Sequence, residues 1–334
     1  MRFPSPTLCR YAVAGLCLAA TLVGGKKNPD EITQVLALPK DPPAVSVGET
    51  RKLVFHISPL SGKGLLSQQT REALKAILKL NNGAQVVHVR AFVAGSGDIR
   101  RVPQIVSEVF TEKKQPIPSV SVVLAGGLPM ENAQVLIESV SMAKKEAGTG
   151  GLEFVAGDDV VDKDPSAAVA PLLKRASDSL ASKMKGAPLR VSCFITAPPG
   201  APELAAAVSA RFSAVPVALV MAQRGSYQAM AKCEGVARTS GPGPEKLAFS
   251  GTRVAFGSAE KDMALAFQRL DRDLAEAGAA AANLVYTNLY PISWPVGELA
   301  RKLRTGAAPV SVMAFEGVAS NDAGFAVDAV AGVR

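Results

Sequence analysis

The stretch QVLIESVSM at residues 134–142 is apolar and β-branched with a near period of two, the pattern of a β-strand, yet Glu138 sits at its middle. A buried carboxylate must be solvated, neutralised by a raised pKa or held by a partner, because an unpaired charge in an apolar interior is costly. One such residue would mean little, since a strand with one wet face carries Glu harmlessly. Two later stretches of the same shape, QAMAKCEGVAR and GFAVDAVAGV, place Glu234 and Asp328 in the corresponding position, 96 and then 94 residues further on. The recurrence points to a repeat.

Working outward, each copy opens with a short strand: KLVFHIS from Lys52, GLEFVAG from Gly151 and KLAFSGT from Lys246. A helical stretch follows in each: SQQTREALKAILKLNNG, capped at Ser67 and stopped at Gly83, then AVAPLLKRASDSLASKMKG, then EKDMALAFQRLDRDLAEAG. Second strands come next (VVHVRAFV, PLRVSCFI, NLVYTNLY), then second helices (RRVPQIVSEVF, PELAAAVSARF, WPVGELARKL). Two more strands close the unit, the first introduced by proline: PSVSVVLAG, PVALVMAQR and APVSVMAFEG. The order is β-α-β-α-β-β three times, which predicts an α+β chain of three units over residues 51–145, 151–240 and 245–334. The Gly-, Pro- and charge-rich stretches KKEAGTGG and RTSGPGPEK read as linkers.

The 334 residues are 48% hydrophobic and 20% charged, a globular composition. The net charge of +8 suggests nucleic acid at first sight, but residues 1–52 hold seven basic and four acidic side chains. The remaining charges are scattered and seldom interleaved with aromatics, so no nucleic-acid partner is expected. Arg2 and Arg10, then the apolar run YAVAGLCLAATLV, then GGKKNPDE have the three parts of an export signal, assigned to residues 1–25. Thirteen apolar residues are too few to span a bilayer comfortably, so the mature chain is expected off the membrane, in a periplasmic or extracellular location. An uncleaved leader acting as a tether is the alternative. Residues 26–50, with PKDPPAV, read as a flexible Pro-rich tether. Cys9 and Cys17 fall in the leader. Cys193 and Cys233 lie in strands of the second unit, and buried free thiols are the favoured reading, with pairing in an oxidising compartment left open. His56 and His88 show no metal-ligand spacing, and GSGDIR lacks the third glycine of a dinucleotide loop, so no metal or cofactor is expected.

The first unit, through QTREAL at Gln69, VRAFVAGSGDIRRVPQIVSEVF from Val89, Pro118, the Leu128–Pro129 pair and VLIESVSM, resembles the RidA (YjgF, L-PSP) family across nearly all of residues 51–145. The other two units are similar in a worn-down form that keeps the proline and the final acid. The resemblance implies chorismate-mutase-like units, sheets inward, with ligand clefts between neighbouring units. Three fused copies are then expected to close into an intramolecular pseudotrimer and behave as a monomer.

In enzymatic members of the family, an arginine two residues after the proline grips the substrate carboxylate, and the acid on the last strand positions the attacking water. In this chain the arginine positions hold Val120, Ala218 and Ser311, while the acids Glu138, Glu234 and Asp328 remain. The resemblance therefore implies inter-unit small-molecule clefts with the candidate acids kept and the usual imine deaminase activity lost. The ligand, an unidentified metabolite, would be neutral or cationic. Arg90 and Arg190, on the second strands but offset by two residues, are the candidate substitutes in the alternative of a divergent imine or enamine deaminase. A structural or interaction protein is the third reading.

Overall fold

The computed structural model describes residues 43–94, 98–143, 149–223, 228–241, 243–304, 306–318 and 322–334. The leader and most of the tether lie outside the described residues, as do Cys9 and Cys17.

Strand β1 (Val45–Thr50) precedes the first unit. That unit runs β2 (Leu53–Ile57), α1 (Leu66–Asn81), β3 (Val86–Ala94), α2 (Arg101–Glu112), β4 (Ser119–Ala125) and β5 (Val135–Met142). The second is β6 (Leu152–Asp162), α3 (Val169–Lys183), β7 (Ala187–Ile195), α4 (Pro202–Phe212), β8 (Val217–Met221) and β9 (Ala229–Arg238). The third is β10 (Glu245–Ser250), β11 (Arg253–Phe256), α5 (Glu260–Glu276), β12 (Ala279–Pro291), α6 (Trp294–Leu303), β13 (Val310–Val312), β14 (Gly317–Val318) and β15 (Ala323–Val333). This is a mixed α+β architecture in which the β-α-β-α-β-β order recurs.

Each unit builds its own sheet on one plan. In the first the order is β2-β5-β3-β4, with β3 and β4 parallel and the other pairs antiparallel. The second sheet is β14-β8-β7-β9-β6 and the third β1-β10-β15-β12-β13, with β11 also on β15. In every unit the last strand therefore lies between the first strand and the strand that joins the two helices. Proline starts α4 and α6, where a missing N–H costs nothing, and α1 ends on Asn82 in the left-handed region (φ 47°).

Helices cover one face of each sheet. Leu74, Ile77, Val106 and Phe110 fill the first helix–sheet core, Leu173, Leu180 and Phe212 the second, and Met263, Leu270 and Leu274 the third. The opposite faces meet one another. Two further clusters draw residues from all three sheets, one with Phe92, Phe194 and Tyr290, the other with Phe55, Val236 and Phe249. All eight residues of β5 are consequently buried, so its polar positions cannot be read as a wet face.

Two strands cross between units. Residues 45–50, expected at the end of the tether, instead form β1, which pairs antiparallel with β10 and covers what would be an open sheet edge. Val45 and Val47 pack on the third core, and Gly48 passes so close to the second unit that a Cβ would lie 2.6 Å from Leu189 Cδ1. Short β14 leaves the third unit to pair with β8 of the second. The favoured reading of Cys193 and Cys233 as free thiols is corrected. They stand opposite each other on β7 and β9, Cα atoms 4.2 Å apart, and form a disulfide.

Candidate functional site

The site follows from the registers of the three sheets. Glu138 on β5 stands opposite Arg90 on β3, Glu234 on β9 opposite Ser192 on β7, and Asp328 on β15 opposite Asn288 on β12. One step along the same faces, Val140, Val236 and Val330 oppose His88, Arg190 and Tyr286. On their other sides these valines meet Phe55, Phe154 and Phe249. In the opposite direction Phe92, Phe194 and Tyr290 form an aromatic floor, with Phe92 and Phe194 edge to face at 5.9 Å between centroids. Each layer draws on corresponding positions of all three units.

Residues of the first two layers line a cavity of about 70 Å³. Of the three acids, Glu138 and Glu234 line this space, and Asp328 is tied to it through Asn288 and Arg190. The physical cause is the inward packing of the three sheet faces.

Arg90 is the centre of the charge network. Its Nε donates to Glu138 Oε2 at 2.6 Å, Nη1 to Glu234 Oε1 at 2.7 Å and Nη2 to Asn288 Oδ1 at 3.1 Å. Its guanidinium also lies 5.2 Å from the Phe92 ring centroid. Asn288 passes the network on, its Nδ2 donating to Asp328 Oδ1 at 2.7 Å. Arg190 Nη2 lies 2.8 Å from the same Asp328 oxygen but off the hydrogen-bonding line, so that contact is one of charge. His88 Nε2 is 3.5 Å from Glu234 Oε2, and its ring stacks on Phe154.

Burial alone would push Glu234 up, but the Arg90 guanidinium, helped by His88 and Ser121, holds its carboxyl well below the usual range. Burial would likewise depress Arg90, yet Glu138 and Glu234 keep its pKa well above the ordinary value. The Tyr286 phenol is pushed well up by burial and then by Glu138, and Tyr290 by burial and then by Asp328.

The candidate arginine positions are divided by the structure. Ala218 and Ser311 pair with Ser192 and Asn288 on the inner faces, whereas Val120 pairs with Val89 and packs against the helix-side core. In the first unit the inner ladder position is Ser121, one residue later, because Ser121 is the partner of Arg90. Arg90 and Arg190 are both buried and occupy adjacent layers, consistent with their two-residue offset. Asn288, Tyr286, Ser192 and the role of His88 escaped the sequence reading. Their signal was position: each sits on a second strand at a place matching Arg90 or Arg190 in another unit. Among the described residues there is no group of His, Cys, Asp and Glu able to hold a metal ion.

The fold and this cavity define an α+β protein whose three sheets share one buried polar site. No family model and no curated protein matches the chain. Among solved structures, a YjgF-family protein of Neisseria meningitidis is 16% identical, covering 27% of this chain and 85% of its own, with a TM-score of 0.24. The YjgF gene product of E. coli is 22% identical over 31% of this chain and 84% of its own, TM-score 0.22. A cyanuric acid hydrolase from A. caulinodans aligns over 85% of this chain and 100% of its own at 10% identity, TM-score 0.46.

Proposed function

We propose that the chain is a small-molecule-binding protein made of three RidA-like units closed into a pseudotrimer, with one central site in place of three clefts and without the usual imine deaminase activity. The observation that carries this reading is the convergence of Glu138, Glu234 and Asp328 with Arg90 and Arg190 around a single cavity. The loss of deaminase activity follows from the cations. Ser121, Ala218 and Ser311 cannot grip a carboxylate, Arg90 is clamped by two acids, and Arg190 faces Asp328.

The test has two measurements. A metabolite panel is scored by thermal shift, where a ligand at a hundred times its Kd adds about 2.7 kcal/mol of stability. Imine hydrolysis is followed with 2-aminoacrylate generated in place, beside the Glu138→Gln, Glu234→Gln, Asp328→Asn triple variant. Binding without turnover is expected; turnover abolished in the triple variant would establish a deaminase instead. A panel that produces no shift would favour a structural role. Light scattering is expected to give a mass of one chain, 34.6 kDa before any leader removal. Export is part of the same proposal. The buried Cys193–Cys233 disulfide supports it, since such bonds persist in oxidising compartments.

A further inference from the structure

Helix α1 ends in a turn built from two consecutive left-handed residues. Asn82 and Gly83 lie at φ 47° and 84°, and both are exposed. Hydrogen bonds close the turn on either side: the Asn82 N–H donates to Lys79 O at 3.2 Å and the Ala84 N–H to Asn81 O at 2.9 Å. Between them, the Gly83 N–H has no partner among the described residues, and neither has the Asn82 side-chain amide. Nothing lies within 4 Å of the place a Gly83 Cβ would take, so the space beside this peptide is open.

An asparagine side-chain carbonyl carbon can be attacked by the main-chain nitrogen of the next residue, closing a five-membered ring. The reaction needs that nitrogen free of a hydrogen bond, the amide accessible, and a following residue that lets the backbone rotate, which glycine does best. Asn132 gives the comparison within the same fold. It too is exposed and left-handed, at φ 60°, but its successor Ala133 is buried, carries a Cβ and donates its N–H to Met130 O at 3.2 Å. Asn81 is buried, and the N–H that follows it is the one bonded to Lys79 O. Asn283 and Asn288 lie in β12, each followed by leucine, and Asn288 is held by Arg90 and Asp328. Among the described residues Asn82 alone meets all three conditions.

We propose that Asn82 is a site of timed covalent modification, losing its amide as ammonia through a cyclic imide. The Gly83 nitrogen bonds to Asn82 Cγ, the Cγ–Nδ2 bond breaks, and Nδ2 leaves as ammonia with the proton the Gly83 nitrogen gives up. Water then opens the ring. Cleavage between the nitrogen and Cγ leaves aspartate; cleavage between the nitrogen and the Asn82 main-chain carbonyl carbon leaves isoaspartate, its chain running through Cβ and Cγ. Either product puts a carboxylate at the C-terminal end of α1, where the helix dipole disfavours an anion, although Lys79 stands in the same turn. Isoaspartate also adds a methylene to the main chain inside the turn that leads into β3, the strand of His88 and Arg90.

The full, disulfide-intact chain is held at mildly alkaline pH in water enriched in oxygen-18, digested in acid and mapped by mass spectrometry, with isoaspartate scored by an isoaspartyl methyltransferase. Residue 82 is expected to convert roughly tenfold faster or more than residue 132, taking up heavy oxygen and yielding a methyl-accepting product. Asn82→Gly keeps a residue suited to the left-handed turn and is expected to abolish both signals at this position without lowering Tm. Conversion of residue 132 as fast as residue 82 would overturn the proposal. So would an unchanged residue 82 in the folded chain when the same chain in urea converts there.

Discussion

Replacing Arg90 with glutamine tests the account of the buried network. Arg90 is 7% exposed and holds Glu138 and Glu234, themselves 4% and 6% exposed, through hydrogen bonds of 2.6 and 2.7 Å. Removing one partner of a buried ion pair costs about 3–5 kcal/mol, because the other charge is stranded. Here one guanidinium serves two carboxylates and an amide, so the loss belongs at the upper end, about 5 kcal/mol at pH 7.5. For a chain of this size that corresponds to a fall in Tm of roughly 10 °C.

The pH dependence carries the sign. With Arg90 present, the Glu234 carboxyl is held below its unfolded value of about 4.3, so its contribution is complete above that pH and is lost only as pH falls through the lowered folded value. Without Arg90, the burial that opposes this shift takes over and raises Glu234 above the unfolded value. The variant is then most destabilised at neutral pH and recovers as acid protonates the stranded carboxyls. Urea denaturation at pH 7.5 and pH 5 measures the gap from the parent. A gap below about 1 kcal/mol at pH 7.5, or one that does not narrow at pH 5, would refute the reasoning. The triple variant Arg90→Gln, Glu138→Gln, Glu234→Gln removes the stranded charges and is expected to regain most of the loss.

Other consequences are open to direct measurement. The Cys193–Cys233 bond closes a sequence separation of 40 residues, so the Cys193→Ala, Cys233→Ala pair is expected to lower stability by about 2–4 kcal/mol in denaturant titrations under oxidising conditions. Of the four tyrosines, Tyr286 and Tyr290 are buried with phenols pushed well up, so an alkaline titration at the phenolate absorbance should show two ionising only as the fold opens. Deleting residues 45–50 removes β1 and bares the edge of β10; loss of cooperative melting or concentration-dependent aggregation is expected, and an unchanged melting curve would show that β1 adds little.

Much of this molecule is legible along the chain because its elements follow local rules. The alternation in VLIESVSM, the 3.6-residue spacing of apolar positions in α1 and α5 and the prolines opening α4 and α6 mark strands and helices without help from distant residues. Repetition at intervals of about 95 residues then singled out Glu138, Glu234 and Asp328, which no single copy would have done.

Tertiary structure decided where those acids point and what they meet. A strand buried on both faces loses the polar–apolar contrast that reports its orientation, so β5 could not declare which side Glu138 takes. Register shifts between Val86 and His88, Pro188 and Arg190, and Leu284 and Tyr286 bring those three later residues into one layer, and a single-residue slip in the first unit puts Ser121, not Val120, on the inner face. Local sequence sets the period of each strand. The partner of each charge depends on which strands stand opposite one another, and the ladders and inward-facing sheets that settle this join residues as distant as Arg90 and Asn288, 198 positions apart.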